Sequence, residues 1–365
     1  MEHGLSLSRS FFKGHGHGND YLVFEEGGDW PVTSGTIREV CHRWRGPGGD
    51  GIVALLGPRE EAAAAGAGGA GGGGTGGSGS EPAAGGSSAE SAGGGSPGDA
   101  GPGSSLREPA AGGSPAEWAG GGSGSRPVRL RMFNPDGWEF ERSGNGLRVL
   151  GAYLFARGRA GEGRPFPVEV GGDRVHMEVL RREPGGLLQV AVEMGRGRAG
   201  GAAVGWREEE AGDGGRLRGP GGEGLDAEPF SVGNPHCVVF RGELRDEDLL
   251  RLGPHLTRHP AFPEGINVQV ARVRGEGRVE ILIWERGVGR TSSSGTSACA
   301  VAGACVHRGL LEPGRVEVVM EGGSFFVTVS SELELRLEGP VRPVMTGELT
   351  GEMLEALRAG PGEWK

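Results

Sequence analysis

Two short stretches of this 365-residue chain set a serine and small residues directly before an apolar segment. They are Ser143-Gly144-Asn145-Gly146 and Ser294-Gly295-Thr296-Ser297. A turn of this kind opening a helix leaves backbone N–H groups without helical partners. Those groups and the positive end of the helix dipole bind carboxylates and other anions. Two such ends converging would grip a small anionic substrate and stabilise the charge that develops as an α-proton leaves. Glu285-Arg286 closes a strand before the second turn, where an arginine can hold a carboxylate bidentately. Asn134, Asn234 and Asn267 sit at strand ends or turns, and amides there suit joint recognition of an ammonium and a carboxylate. Taken singly, each asparagine reads as a turn residue and Glu285-Arg286 as a surface ion pair.

Order and spacing change that weighting. Gly18-Asn19-Asp20 precedes the first serine turn, and Gly233-Asn234-Pro235 precedes the second. Asn19 and Ser143 are 124 positions apart, 69 of them in one low-complexity stretch, which leaves 55; Asn234 and Ser294 are 60 apart. The match implies two homologous halves facing each other, each contributing one helix start.

The elements that must position these residues are legible in part. The stretch 58–126 holds 24 glycines and Trp118 as its only aromatic residue. It cannot bury enough apolar surface to offset its ordering entropy, so it reads as a flexible, disordered insertion. It is flanked by the apolar run Ile52 to Leu56 and the alternating run Val128 to Phe133, so it stands in place of a hairpin loop. The charged, Gly-rich stretch 195–224 reads as an exposed loop. Strands are expected over 166–170, 175–180, 187–192, 237–240, 267–273, 279–284, 316–320 and 325–329. Helices are expected over 34–45, 145–157, 246–256, 297–308 and 351–358. Many strands and few helices give an α+β class.

The net charge of −10 argues against a nucleic-acid binder. No apolar run approaches a membrane span, and the N-terminus carries no secretory h-region. Cys41, Cys237, Cys299 and Cys305 are too scattered for a disulfide scaffold, and no spacing suggests a metal. A cytoplasmic protein without nucleic-acid or membrane partners is expected.

Four ordered motifs carry a resemblance. His15-Gly16-His17-Gly18-Asn19-Asp20-Tyr21 resembles the N-terminal signature of the diaminopimelate epimerase family. So do Phe133-Asn134-Pro135-Asp136-Gly137 running into Ser143 to Arg148, Gly233 to Cys237, and Glu285 to Gly289 running on to Cys299-Ala300. The match covers nearly everything outside the insertion. It implies two pseudo-symmetric domains, each a barrel-like mixed sheet around a central helix, with the active site between them. The expected division is 1–193 and 194–349, with 350–365 packing back on the first domain. The resemblance further implies an isomerase that needs no cofactor, neither pyridoxal phosphate nor a metal, and often forms a homodimer. It inverts one α-carbon of a small amino-acid substrate, diaminopimelate, on the way to lysine and peptidoglycan. By position, Asn19, Asn134, Gly144, Asn145, Asn234, Asn267, Glu285, Arg286, Gly295 and Thr296 fall on substrate-contacting residues, and His236 on a supporting histidine.

The family's catalytic cysteine pair falls on Ser143 and Ser294. A free thiol has a pKa of about 8.5, within reach of a helix dipole, whereas a serine hydroxyl is far less acidic and needs a base. Arg290 stands where the family usually has an acidic residue, adding a positive charge beside the second turn. Three readings stay open: an epimerase of the diaminopimelate type; a diverged isomerase or dehydratase on a related small acid, with Glu285 or His236 as base; and a non-catalytic amino-acid-binding paralogue.

Overall fold

A two-residue turn sets the first pairing. His17 and Gly18 both have positive φ, 51° and 87°, the backbone that matches the twist of a tight hairpin. They join β1 (Ser6–Gly16) to β2 (Asn19–Glu26) in antiparallel register, Gly16 opposite Asn19. The computed structural model describes residues 4–57, 127–140, 142–210 and 217–360. The disorder expected for 58–126 therefore concerns residues outside those described.

The first half continues with β3 (Trp30–Pro31), α1 (Ser34–Cys41), β4 (Ile52–Leu56), β5 (Val128–Phe133), β6 (Glu139–Phe140) and α2 (Gly144–Ala156). It ends with β7 (Phe166–Val170), β8 (Asp173–Arg182) and β9 (Leu188–Arg196). A short β10 (Arg198–Ala199) leads to the second half. There follow β11 (Ala227–Ser231), β12 (Pro235–Phe240), α3 (Asp246–Thr257), β13 (Asn267–Gly275), β14 (Arg278–Glu285) and β15 (Gly289–Thr291). The last elements are α4 (Gly295–His307), β16 (Gly314–Met320), β17 (Gly323–Val329), β18 (Glu334–Glu348) and α5 (Gly351–Ala359).

The pairing pattern repeats. In the first half β1–β2 is antiparallel, β2–β4 parallel, β4–β5 antiparallel and β5–β7 parallel, followed by the antiparallel meander β7–β8–β9. In the second half β11–β12, β12–β13, β13–β14, β14–β16 and β16–β17–β18 repeat those senses in the same order. Each half closes through a shared strand. Residues 334–341 of β18 pair with β9 and residues 342–348 with β1, which closes the first barrel. The second closes where β18 meets β9 and β10 pairs with β11. The fold is thus two pseudo-symmetric mixed barrels, an α+β architecture.

Each barrel is filled by a helix. α2 is buried from Gly144 to Leu154 and α4 from Gly295 to Cys305 apart from Thr296. Helices apolar on all sides belong inside a core. One apolar cluster runs through both barrels, joining Leu147 and Leu150 of α2 to Ala298 and Val301 of α4. Outside the first barrel, Leu354 and Leu357 of α5 pack with Leu5, Leu7, Trp30 and Ile37.

The structure departs from the sequence expectations at several points. α1 ends at Cys41, not near residue 45, because His42 turns extended and Gly48 and Gly49 donate back to the Val40 and Cys41 carbonyls. Within 195–224 the described residues are more than a loop, since β10 pairs with β11 and Arg218 bridges Gly224. β1, β2, β11 and β18 are not among the expected strands; in β18, Gly339, Pro340 and Pro343 punctuate the run like a turn, yet it continues unbroken between two barrels.

β4 and β5 pair from Ile52 opposite Phe133 to Leu56 opposite Arg129, so the chain leaves and rejoins the sheet at adjacent positions. Replacing residues 58–126 by a short turn is expected to keep a single cooperative melt, shifted by no more than about 3 °C, since loop length costs little. Calorimetry of the deletion variant checks this.

Candidate active site

Helix capping places the two serines. Ser143 is the N-cap of α2 and its Oγ accepts from the Gly146 N–H at 3.1 Å. Ser294 is the N-cap of α4, accepts from the Ser297 N–H at 3.4 Å and lies 3.4 Å from Thr296 Oγ1. The two helix starts meet across the buried side chain of Leu337. A Cβ on Gly144 would come 2.9 Å from Leu337 Cδ2 and one on Gly295 2.8 Å, so a side chain at either position would have to displace Leu337. The N–H groups of Gly144, Asn145, Gly295 and Thr296 precede the first helical hydrogen bonds and lack intrahelical acceptors. The meeting point is therefore electropositive.

On the first-half side a chain of amides lines this point. Asn145 Nδ2 donates to Asn19 Oδ1 at 2.7 Å, and Asn19 Nδ2 donates to Asp50 Oδ2 at 3.0 Å. Asn145 Oδ1 accepts from Arg148. Asp20 is ion-paired to Lys13 at 3.0 Å and to Arg43 at 2.7 Å. Those cations outweigh the burial that would raise it and hold its carboxyl below the usual range. Burial pushes Asp50 upward although Arg43 lies 2.6 Å away. Tyr21 follows in the same strand, and its hydroxyl meets the Ser143 side chain. Burial first, then the negative charges of Asp50 and Glu285, push it up to about 12. Glu285 belongs to the other half, so this influence crosses between the barrels.

On the second-half side, Asn267 Nδ2 donates to the Pro235 carbonyl at 3.1 Å and its Oδ1 accepts from the Arg286 N–H at 2.9 Å. That clamp joins the Asn234 turn to Glu285-Arg286. The Arg286 guanidinium donates to the Glu264 carbonyl at 2.5 Å. Thr291 Oγ1 donates to Glu285 at 3.3 Å. His236 Nε2 lies 3.0 Å from Asn234 Oδ1 and its Nδ1 3.1 Å from Gln269 Nε2, which also donates to Ser297 Oγ. Asn234 thus connects to the α4 start through His236, Gln269 and Ser297. Asn134 follows Phe133, which pairs with Ile52 of β4, itself paired with Leu22 of β2, so it stands at the same strand ends as Asn19 and Asp50; its N–H donates to the Trp138 carbonyl at the β5–β6 turn.

Two expectations need correction. His236 cannot serve as a base. It is fully buried, both ring nitrogens are engaged, and burial drives its pKa down to about 3. Arg290 does not leave a free charge beside the second turn, because it pairs with Asp246 at 2.9 Å and Glu321 at 3.3 Å. The cysteines supply no replacement thiolate. Cys237 and Cys299 are fully buried, and burial pushes both thiols up to about 12. Sequence reasoning missed Tyr21, Asp50, Arg148, Gln269 and Ser297. Tyr21, Arg148 and Ser297 stood inside the motifs quoted above without a role, and Tyr21 stands two residues after Asn19, as His236 stands two after Asn234.

Two closed mixed barrels with opposed helix starts are a fold shared with solved structures of racemases and epimerases. The structure is similar to that of a probable proline racemase from Agrobacterium radiobacter K84, with a TM-score of 0.58 at 12% identity, covering 97% of this chain and 96% of that one. Residues 230–349 match the family model described as diaminopimelate epimerase. A diaminopimelate epimerase of Desulforudis audaxviator is 30% identical over 93% of this chain and 98% of its own length. Diaminopimelate epimerase 2 of a Nostoc strain is 29% identical over 94% and 96%. The chain belongs to the diaminopimelate epimerase family of isomerases. No helix among the described residues is long and apolar enough to cross a membrane.

His236 makes stability depend on pH. Its folded pKa of about 3 lies below the ordinary value of 6.5, so between these values the unfolded chain binds the extra proton. Its contribution is intact above pH 6.5 and is lost as pH falls, by up to about 1.4 kcal/mol per unit. Urea unfolding from pH 7 to 4 is expected to show this slope, and His236→Gln is expected to flatten it.

Proposed function

We propose that the protein inverts the α-carbon of diaminopimelate, converting the LL to the meso isomer, with Ser143 and Ser294 on opposite sides of the substrate. The observation that carries this reading is the meeting of two serine-capped helix starts at Leu337. The α-carboxylate would sit on the free N–H groups of Gly144, Asn145, Gly295 and Thr296, which also stabilise charge as the α-proton leaves. Asn19, Asn234 and Asn267 would fix the amino group and the carboxylate, and Arg286 the distal carboxylate. Tyr21, neutral at physiological pH, would hold the Ser143 hydroxyl in place through their hydrogen bond. The activity falls in the cytoplasm in this reading, and the protein acts as a homodimer.

Serine in place of a thiol slows proton abstraction by the difference of several pKa values, at about 1.4 kcal/mol each. One observation favours a second reading, a pocket that binds without turnover. Both serine oxygens are engaged as helix caps, a role that hydroxyls perform without any chemistry.

Proton NMR with LL-diaminopimelate in D2O separates the two. Loss of the α-proton signal with growth of the meso isomer is expected from the epimerase. Saturable binding without exchange would establish the binding pocket instead. Ser143→Cys combined with Ser294→Cys is expected to raise the exchange rate at least about tenfold, since thiols ionise far more readily.

A further inference from the structure

Arg148 lies in the second turn of α2 and is fully buried, yet no carboxylate among the described residues pairs with it. Its Nη2 donates to Asn145 Oδ1, as expected for a helix side chain leaning toward the helix start. Nε and Nη1 have no acceptor among the described residues. Phe325, from the other half, presents its ring 4.3 Å from the guanidinium carbon. Glycines make room for the group: a Cβ on Gly16 would come 2.9 Å from Nη2, and one on Gly339 2.9 Å from Nη1. Burial pulls Arg148 down to about 9, so it stays charged at neutral pH. Cys299 beside it is neutral. An uncompensated buried charge is costly, and an apolar residue of like size would be cheaper.

The charge sits under the two helix starts, which add potential of the same sign. Asp20 and Asp50, at the Asn19 end of the amide chain, are already bound by Lys13 and Arg43. A guanidinium only donates, so Asn145 must turn its oxygen to Arg148 and its amide nitrogen to Asn19. Asn19 then has its oxygen engaged and its nitrogen on Asp50.

We propose that Arg148 is the charge-selecting positioning residue of this site: it sets the orientation of Asn145 and Asn19 and tunes the converging helix starts for a carboxylate that supplies the missing negative charge. The proposal rests on the reading of the cleft as a substrate pocket, but not on turnover.

Calorimetric titration tests it with two probes, LL-diaminopimelate and pimelate, the same diacid without amino groups. Arg148→Met removes both the charge and the donor; Arg148→Gln removes the charge and keeps a donor for Asn145. Both variants are expected to bind either probe at least about tenfold more weakly than the parent. Their melting temperatures without ligand are expected to stay level or rise. A merely structural arginine would give the reverse, a lower melting temperature with unchanged affinity of the folded protein, and that result overturns the proposal. Failure of both variants to fold overturns it as well. A parent that binds pimelate but not diaminopimelate refutes the substrate reading alone, and the comparison of variants then proceeds on pimelate. A parent that binds neither refutes both.

Discussion

Two helix starts facing each other are mutually repulsive, and the rest of this structure holds them there. Like partial charges meet at Leu337, which packs directly against the bare backbones of Gly144 and Gly295. Neither helix can retreat. Each fills the centre of a barrel, and the barrels share β18 and the β9–β10 run as closing strands. Moving one helix away would break apolar packing continuous through both halves. The repulsion therefore persists as a standing preference for an anion.

The histidine, cysteines and tyrosine around that point are held in their neutral forms. His236 is held neutral, the thiols of Cys237 and Cys299 are kept from ionising, and Tyr21 keeps its proton well above physiological pH. Desolvation is the largest cause in each case. The same desolvation strengthens every remaining interaction between the helix starts and a bound carboxylate.

Pseudo-symmetry in the backbone does not extend to the side chains. Each half orients an asparagine near its helix start, but with different partners: Arg148 and Asp50 for Asn19 and Asn145, His236 and Gln269 for Asn234. Barrel geometry fixes where the amides stand, and unlike buried partners fix which way they turn. An asymmetric ligand has distinct groups on its two sides, and two differently wired halves suit it.

The repeat of Gly-Asn and Ser-Gly turns, the α+β class and most strands and helices were legible in the sequence because they depend on local patterns. Strand alternation, helix periodicity and capping residues act over a few positions. β1, β2, β11 and β18 were not read as strands; in β18 the prolines read as a break until two neighbouring barrels supplied its partners. The neutral state of His236, the paired charge of Arg290 and the burial of Arg148 without a carboxylate among the described residues were equally invisible. Each depends on burial and on residues tens or hundreds of positions away. The sequence by itself determined which groups are present and in what order they recur. Only the tertiary structure decided which of them are charged, because the cost of a charge is set by the water and partners that folding removes or supplies.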